Sequence, residues 1–181
     1  MSRLIAVDPA QATDKAKDLL DKVQAKLGLT PNMMRTMANS PAVLEAYLNF
    51  NNTLAEGSLS SRLREQIALV VAEANGCEYC LSAHTAIGKM VGLGTDEILA
   101  SRQSTSTNPK VEAALKFATR IIARRGDVSD IDLGQVRQAG YTEGEIAEIV
   151  ANVALNVFTN YFNQVAQTEI DFPKVALGRA A

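Results

Sequence analysis

Residues 60–84 read SSRLREQIALVVAEANGCEYCLSAH, and the fold class follows from this stretch. Its first half carries apolar residues at intervals of three and four, the pattern of one helix face: Leu63, Ile67, Val70 and Val71. Ser60 or Ser61 can cap that helix, and Asn75-Gly76 interrupts it before a second helical run begins at Cys77. The stretch therefore predicts two consecutive helices that meet at Asn75-Gly76.

Similar signals for the start and end of helices occur on both sides of this stretch. Four pairs place a capping residue directly before a proline, a common start of a helix: Asp8-Pro9, Thr30-Pro31, Ser40-Pro41 and Asn108-Pro109. A short helix is expected from Thr95 and a last long helix from Tyr141-Thr142, whereas residues 101–108 form the most loop-like stretch. No segment shows sustained alternation of apolar and polar residues, the mark of a half-buried strand. We therefore predict an all-α fold of eight or nine helices in a single domain, residues 1–181.

Charge and composition argue against several classes of function. The chain has 18 basic and 20 acidic side chains and no basic stripe with interleaved aromatics, so we expect no nucleic-acid partner. No run of about 18 apolar residues occurs, so we expect no membrane partner. The first residues lack the apolar core of a secretion signal and reach Asp8 quickly, which predicts a cytoplasmic protein.

The residues suited to chemistry are concentrated in one short segment. The chain has two cysteines and one histidine, and all three lie between Cys77 and His84. In a reducing cytosol a C-x-x-C pair is more often catalytic or metal-binding than structural. Cys77 falls at or near the start of the second helix, where unpaired N–H groups and the helix dipole favour a thiolate. Cys80 lies one turn further along and His84 four residues later, so the three side chains share a face.

Three interpretations of this segment remain open. In the first, the cysteines cycle between dithiol and disulfide. In the second, Cys77, Cys80 and His84 bind zinc, but a structural zinc site needs a fourth ligand that the chain does not obviously supply. In the third, both cysteines are buried small hydrophobes and His84 is a core histidine. We favour the redox interpretation and predict neither a metal nor a cofactor.

Two glutamates compete for the place beside His84. If the two helices fold back on each other, Glu65 comes within roughly one helical turn of His84 along the hairpin. Glu65 is also in register with a small-residue face that could pack inward, formed by Ala68, Leu69 and Ala72. Glu73 is closer to Cys77 in sequence, and spacing alone does not decide between the two glutamates.

Residues 59–69 and 75–84 strongly resemble the carboxymuconolactone decarboxylase / alkylhydroperoxidase D-like family. Residues 156–163, followed by Asp171-Phe172-Pro173, are similar to a stretch of its peroxidase-related members. The resemblance implies an all-helical fold that assembles as a homo-oligomer, often a trimer or hexamer. It also implies a peroxide substrate and an external dithiol or redox protein as reductant. Decarboxylase members generally lack the cysteine pair, so its presence here favours a redox reaction.

The resemblance implies a role for each residue of the segment. By position, Cys80 would attack the peroxide and Cys77 would resolve the product. His84 and Glu65 would form the proton relay, because Glu65 matches the family's glutamate. Some members carry a histidine immediately before the second cysteine; Tyr79 stands there, and a phenol with a pKa near 10 cannot replace imidazole as a base at neutral pH.

Other polar and aromatic residues receive structural predictions. Asn156 and Asn160 are four residues apart on the last helix, and we interpret them as a polar helix face rather than part of the site. Three aromatic residues could line a pocket, although core packing is the expected role: Tyr47, Phe50 and Phe162. The sequence thus predicts a thiol-dependent peroxidase or disulfide reductase. The alternatives are an acid/base lyase of the lactone decarboxylase kind, using Glu65 and His84, and a non-enzymatic helical or redox-sensing protein.

Overall fold

A computed structural model describes residues 2–178, which form nine α-helices and no strand. The helices are α1 (Asp14–Leu27), α2 (Asn32–Met37), α3 (Pro41–Ala55), α4 (Ser61–Ala74), α5 (Glu78–Met90), α6 (Thr95–Arg102), α7 (Pro109–Arg124), α8 (Asp130–Gln138) and α9 (Glu143–Ala166). The predicted all-α class and the number of helices are confirmed over these residues.

Most predicted helix starts agree with the structure, and one is wrong. The start at Thr30-Pro31 is shifted by one residue, because Pro31 itself is the N-cap of α2. Ser60 caps α4 by accepting the N–H of Leu63 at 3.2 Å, as its position predicts. Asp8-Pro9 does not start α1, which begins at Asp14. The Asp8 carboxylate accepts the N–H of Ala10 at 3.0 Å and its carbonyl accepts that of Gln11, which closes a local turn instead. Asp14 then takes a left-handed conformation with φ of 50°, which separates this turn from the helix.

Helix α4 lies at the centre of the fold and contacts α5, α6, α7 and α9. It is buried on two sides. One of them is the small-residue face of Ala68, Leu69 and Ala72, which packs inward as predicted. On that side lies what we call the cysteine-side core, whose buried members include Leu20, Met37, Leu44, Leu69, Ala72, Cys77, Cys80 and Leu81. On the other side lies the opposite core, which includes Ile67, Val70, Val71, Leu115, Ala118, Val136, Ile149 and Val153.

The turn between α4 and α5 fixes where the first cysteine stands. The N–H of Cys77 donates to the carbonyl of Ala72 at 2.9 Å, and the N–H of Gly76 donates to Glu73 at 3.1 Å. This paired closure is a Schellman motif, and it requires the left-handed conformation that Gly76 adopts with φ of 66°. Cys77 therefore ends the cap of α4 and is itself the N-cap of α5.

The segment after α9 folds back over the start of α5. The N–H of Val175 donates to Ser82 Oγ at 3.0 Å, and the N–H of Gly178 donates to Glu73 Oε1 at 2.6 Å. The ring of Phe172 packs edge-to-face on Tyr79, with 5.8 Å between the ring centroids. These contacts cover the cysteine-side core at the end where the cysteines lie.

Candidate active site

Cys77 and Cys80 are neighbouring free thiols in the cysteine-side core. Each side chain is buried, with 2% of its surface exposed, and neither is in a disulfide. The N–H of Cys80 donates to Cys77 Sγ at 3.4 Å, so the sulfur of Cys77 serves as the N-cap acceptor of α5. The predicted position of Cys77 at a helix N-terminus is what the structure shows.

The two thiols differ in acidity. The pKa of Cys77 is lowered, chiefly by a hydrogen bond from the Cys80 side chain, against an opposing effect of burial. The pKa of Cys80 is raised well above its usual range by that same hydrogen bond, by burial and by the charge of Cys77. Within the pair, these effects favour the thiolate at Cys77 over the thiolate at Cys80. Cys80 has to lose a proton to fill the attacking role that the resemblance implies.

Glu65 and His84 lie together, and Glu73 does not join them. The Nδ1 atom of His84 is 2.8 Å from Glu65 Oε2, and the two side chains are only 21% and 17% exposed. Glu73 Oε2 instead accepts from Arg102 Nε at 2.7 Å. The fold-back at Asn75-Gly76 thus produces the pairing that the resemblance implies for Glu65, while the roles of both residues in catalysis stay predictions.

The environment of His84 favours the imidazolium. Burial lowers the pKa of His84, but the charge of Glu65 and its hydrogen bond outweigh burial, and Cys77 and Asn156 add to them. The pKa of His84 is therefore raised above its ordinary value. With a lowered pKa at Cys77 and a raised pKa at His84, the site favours a thiolate and an imidazolium together.

Helix α9 contributes amide side chains that the sequence interpretation missed. Asn156 and Asn160 do not form an exposed polar face: they are 6% and 0% exposed, and Asn152 and Asn163 are buried beside them. Asn163 Nδ2 lies 3.3 Å from Cys80 Sγ. The signal was present in the sequence, because asparagines at positions 152, 156, 160 and 163 repeat at helical spacing inside an otherwise apolar segment.

The aromatic residues near the site have distinct roles. The hydroxyl of Tyr79 accepts the N–H of Met33 at 3.1 Å, and burial raises its pKa far above neutrality, so this phenol is no base. The pKa of Tyr47 is raised by burial and by the charges of Cys80 and Glu65, so its hydroxyl stays protonated beside them. Phe162 packs against the cysteine-side core as predicted, whereas Phe50 is 40% exposed.

A cleft of about 400 Å³ leads to the cysteines. It lies between the start of α5, the end of α9 and the segment that follows α9, and its walls include Cys77, Tyr79, Asn163 and Thr168. A larger cleft of about 680 Å³ lies between α7 and α8, and no cysteine or histidine lines it. Of the two clefts, the smaller one therefore reaches the cysteine pair, at Cys77.

The structure also bears on metal and membrane binding. Within residues 2–178, no three side chains of the His, Cys, Asp or Glu types come together as a metal-binding group. In the same part of the chain, none of the helices combines the length and apolar character needed to cross a bilayer.

Comparison with known proteins agrees with this architecture. Residues 41–120 match the carboxymuconolactone decarboxylase family. A peroxidase-related protein from Ralstonia eutropha JMP134, described as an alkylhydroperoxidase AhpD core, is 26% identical with a TM-score of 0.83, over 94% of this chain and 92% of that chain. A peroxidase-related protein from Silicibacter sp. TM1040 is 24% identical with a TM-score of 0.81, over 92% of this chain and 89% of that chain. No protein of curated function matches the chain.

A third similar structure has a different described activity. The debrominase Bmp8, in a complex with 2,3,4-tribromopyrrole, is 21% identical with a TM-score of 0.81, over 94% of this chain and 92% of that chain. At that identity the likeness shows the shared fold. Its described activity also shows that proteins of this fold differ in the reactions they carry out.

The fold and the site define an AhpD-like all-α protein. More specifically, residues 41–120 belong to the carboxymuconolactone decarboxylase family, which is a family of enzymes, and the 26% identical AhpD core has the same fold over 94% of this chain.

Proposed function

We propose that the protein is a thiol-dependent hydroperoxide reductase, a disulfide oxidoreductase that takes electrons from an external dithiol. The observation that carries the proposal is the pair of buried thiols at the N-terminus of α5, with one sulfur as the helix cap and the Glu65–His84 pair on the same helix hairpin. The peroxidase-related structures of the same fold support it.

The oxidative half of the reaction uses both cysteines. His84, oriented by Glu65, holds the first proton that the thiol pair loses, and Cys80 passes its own proton along its hydrogen bond to Cys77 Sγ. The Cys80 thiolate attacks the distal oxygen of the hydroperoxide; an S–O bond forms, the O–O bond breaks, and the alkoxide or hydroxide leaves with the proton from His84. Cys77 then attacks Cys80 Sγ, which forms the disulfide and releases the sulfenic oxygen as water.

The reductive half restores the dithiol. A thiolate of the external dithiol attacks the Cys77–Cys80 disulfide and forms a mixed disulfide with one cysteine while the other leaves as a thiolate. Its second thiol then closes its own disulfide and releases the remaining cysteine. The N–H of Cys80, which donates to Cys77 Sγ, is placed to stabilise the Cys77 thiolate as it leaves. The cleft beside Cys77 is the route by which a reductant would approach.

One assay tests the proposal directly. Pre-reduced protein is mixed with a limiting amount of an alkyl hydroperoxide, and remaining peroxide and remaining thiols are counted together. We expect one peroxide consumed for each pair of thiols lost, with both Cys77 and Cys80 protected from alkylation. Reduction with a dithiol should return both thiols. Unchanged thiols after peroxide treatment would refute the proposal.

The family match supports a second candidate, an acid/base lyase of the lactone decarboxylase kind. In that reaction Glu65 and His84 would act as acid and base without redox change. Alkylating both cysteines separates the candidates, because it should abolish peroxide reduction and leave a lyase reaction that does not need the thiols.

We also propose that the protein assembles as a homo-oligomer, a trimer or a hexamer. The supporting observation is an apolar row on the outer surface of α9, in which large side chains are at least 40% exposed: Val150, Phe158, Tyr161 and Val165. Their spacing puts them on one face of the helix, where a second copy of the chain could cover them. Sedimentation equilibrium should give three or six chain masses, and a single chain mass would refute the proposal.

A further inference from the structure

Two buried polar atoms beside Cys80 have no hydrogen-bond partner in the described part of the chain. They are Asn160 Nδ2 and Asn163 Oδ1, and their side chains are 0% and 3% exposed. A buried polar group without a partner costs about 1–3 kcal/mol, and most such groups in folded proteins are paired. A donor and an acceptor left open next to one reactive sulfur therefore call for a ligand or an intermediate that pairs with them.

The other ends of both amides are held in place. Asn160 Oδ1 accepts Nδ2 of Asn75 at 3.0 Å, so the Asn160 amide cannot turn without losing that bond. Asn163 Nδ2 contacts both Cys80 Sγ at 3.3 Å and Met33 Sδ at 3.1 Å. These contacts fix which atom of each amide remains open.

Both amides already act on Cys80. Stronger effects raise the pKa of Cys80, but the hydrogen bond from Asn163 lowers it, and the nearby Asn160 amide acts in the same direction. Asn160 Nδ2 nevertheless makes no bond of normal geometry in the reduced protein. An oxygen bonded to Cys80 Sγ would add a hydroxyl group next to Asn163, whose Nδ2 lies 3.3 Å from that sulfur.

We propose that Asn160 and Asn163 form an amide cradle for the oxygen atom that a peroxide transfers to Cys80. Asn160 Nδ2 donates to that oxygen, and Asn163 Oδ1 accepts the proton of the sulfenic hydroxyl. This assignment rests on the proposed peroxidase function. It makes both asparagines catalytic residues, because they contact the reacting sulfur and its oxygen.

The cradle acts on a balanced step. When the Cys80 thiolate attacks the distal peroxide oxygen, the S–O bond forms as the O–O bond breaks, and negative charge develops on the departing oxygen. The transferred oxygen keeps its proton as Cys80–SOH and gains a donor and an acceptor in the cradle. Asn163 and Cys77 also line the same cleft, so the cradle borders an open route along which peroxide could reach the pair.

The test uses a Cys77→Ser parent, in which sulfenic acid at Cys80 cannot be resolved to a disulfide. Asn160→Ala, Asn160→Leu and Asn163→Ala are each placed in that parent, with Asn160→Leu retaining most of the side-chain volume. Asn152→Ala is the matched control: Asn152 is a buried amide on the same helix, and its Nδ2 donates only to the carbonyl of Glu148. Circular dichroism confirms that each variant is folded.

Two rates are measured for every variant across a range of pH. Sulfenic acid formation is followed with alkyl hydroperoxide and dimedone trapping by mass spectrometry. Alkylation by iodoacetamide reports the thiolate alone, because it transfers no oxygen. We expect the Asn160 and Asn163 variants to lose about tenfold to a hundredfold in the peroxide rate beyond any loss in alkylation rate, which corresponds to the loss of one hydrogen bond to the transferred oxygen. Asn152→Ala should match the parent in both.

Equal losses in the two rates would mean that the amides stabilise the thiolate only, and would overturn the cradle. Rates like those of Asn152→Ala would overturn it as well. In either case, sulfenic acid formation in the Cys77→Ser parent would still support the proposed peroxidase function. A parent that forms no sulfenic acid at Cys80 overturns the peroxidase function and the cradle together.

Discussion

The two cores on either side of α4 are built from different chemistry. The opposite core is almost entirely aliphatic and aromatic. The cysteine-side core places two thiols next to the buried amides of α9, with the Glu65–His84 pair at its edge. One helix thus separates a region that contributes stability from a region that holds unpaired polar groups at a cost. We infer that the apolar packing of the opposite core offsets the free-energy cost of the buried polar groups on the cysteine side.

The two glutamates of α4 show the same division at the level of single residues. Glu65 pairs with the only histidine of the chain, on the hairpin with α5. Glu73 pairs with Arg102 and accepts the N–H of Gly178, so it ties α6 and the last described residue to α4. Two identical side chains on one helix therefore differ in role: Glu65 belongs to the candidate active site, whereas Glu73 links separate elements of the fold. Substituting each in turn gives a matched comparison.

The largest expected effect is on the cysteine side. Cys80→Ser should reduce peroxide turnover with a dithiol to the uncatalysed background, because it removes the attacking sulfur. Cys77→Ser should turn over more slowly than wild type, because its Cys80 sulfenic acid cannot close to the disulfide. Turnover is measured with an alkyl hydroperoxide in excess dithiol. Either variant turning over at the wild-type rate would show that the pair is not the redox centre.

A large effect on the free energy of unfolding is expected from substitutions in the opposite core. Ile149 is fully buried there, and Ile149→Ala should lower the free energy of unfolding by about 2–5 kcal/mol through the cavity it leaves. The peroxide rate of the folded fraction should not change, since Ile149 belongs to the opposite core. Urea denaturation and the rate assay are run on the same preparation. A fall in rate without loss of folded protein would contradict the separation of the two cores.

A smaller effect separates the two glutamates. His84→Ala should slow peroxide reduction at least tenfold at neutral pH, because general-base assistance contributes about 10²–10⁴-fold. Glu65→Gln should lose less in the same direction, and the double variant should be little worse than His84→Ala. Glu73→Gln is the control and should keep the wild-type rate. A folded His84→Ala variant with an unchanged rate would remove His84, and with it Glu65, from the mechanism.

The smallest effect is a pH dependence of stability. The pKa of His84 is raised above its ordinary 6.5 in the folded protein, so the fold binds that proton more tightly than the unfolded chain. The stabilisation by protonated His84 is therefore full below that value and is lost as pH rises through the folded pKa. The difference in unfolding free energy between wild type and His84→Gln should shrink from about pH 5 to about pH 9. A constant difference would show that His84 does not gain a proton on folding.

The sequence predicts the fold well where signals are local, and the site only in part. Ser60 and Asn108 cap helices through contacts a few residues away, so their roles can be read from the chain. The false start at Asp8 arises because an Asx turn and a helix cap use the same residue type. The asparagines of α9 were interpreted as a polar face because polarity at helical spacing usually means solvent. Only tertiary packing against α4 and α5 reveals that this face is buried.

Cys77 as a sulfur cap has a consequence for the redox balance of the pair. The reduced protein keeps an electron-rich sulfur at the N-terminus of α5, where it accepts a backbone N–H. A disulfide sulfur is a weaker acceptor and carries no charge, so oxidation removes part of this cap. Each kcal/mol of capping energy lost in this way raises the reduction potential of the couple by about 20 mV. The helix that positions the cysteines thus also makes their disulfide a stronger oxidant and easier for a dithiol to reduce.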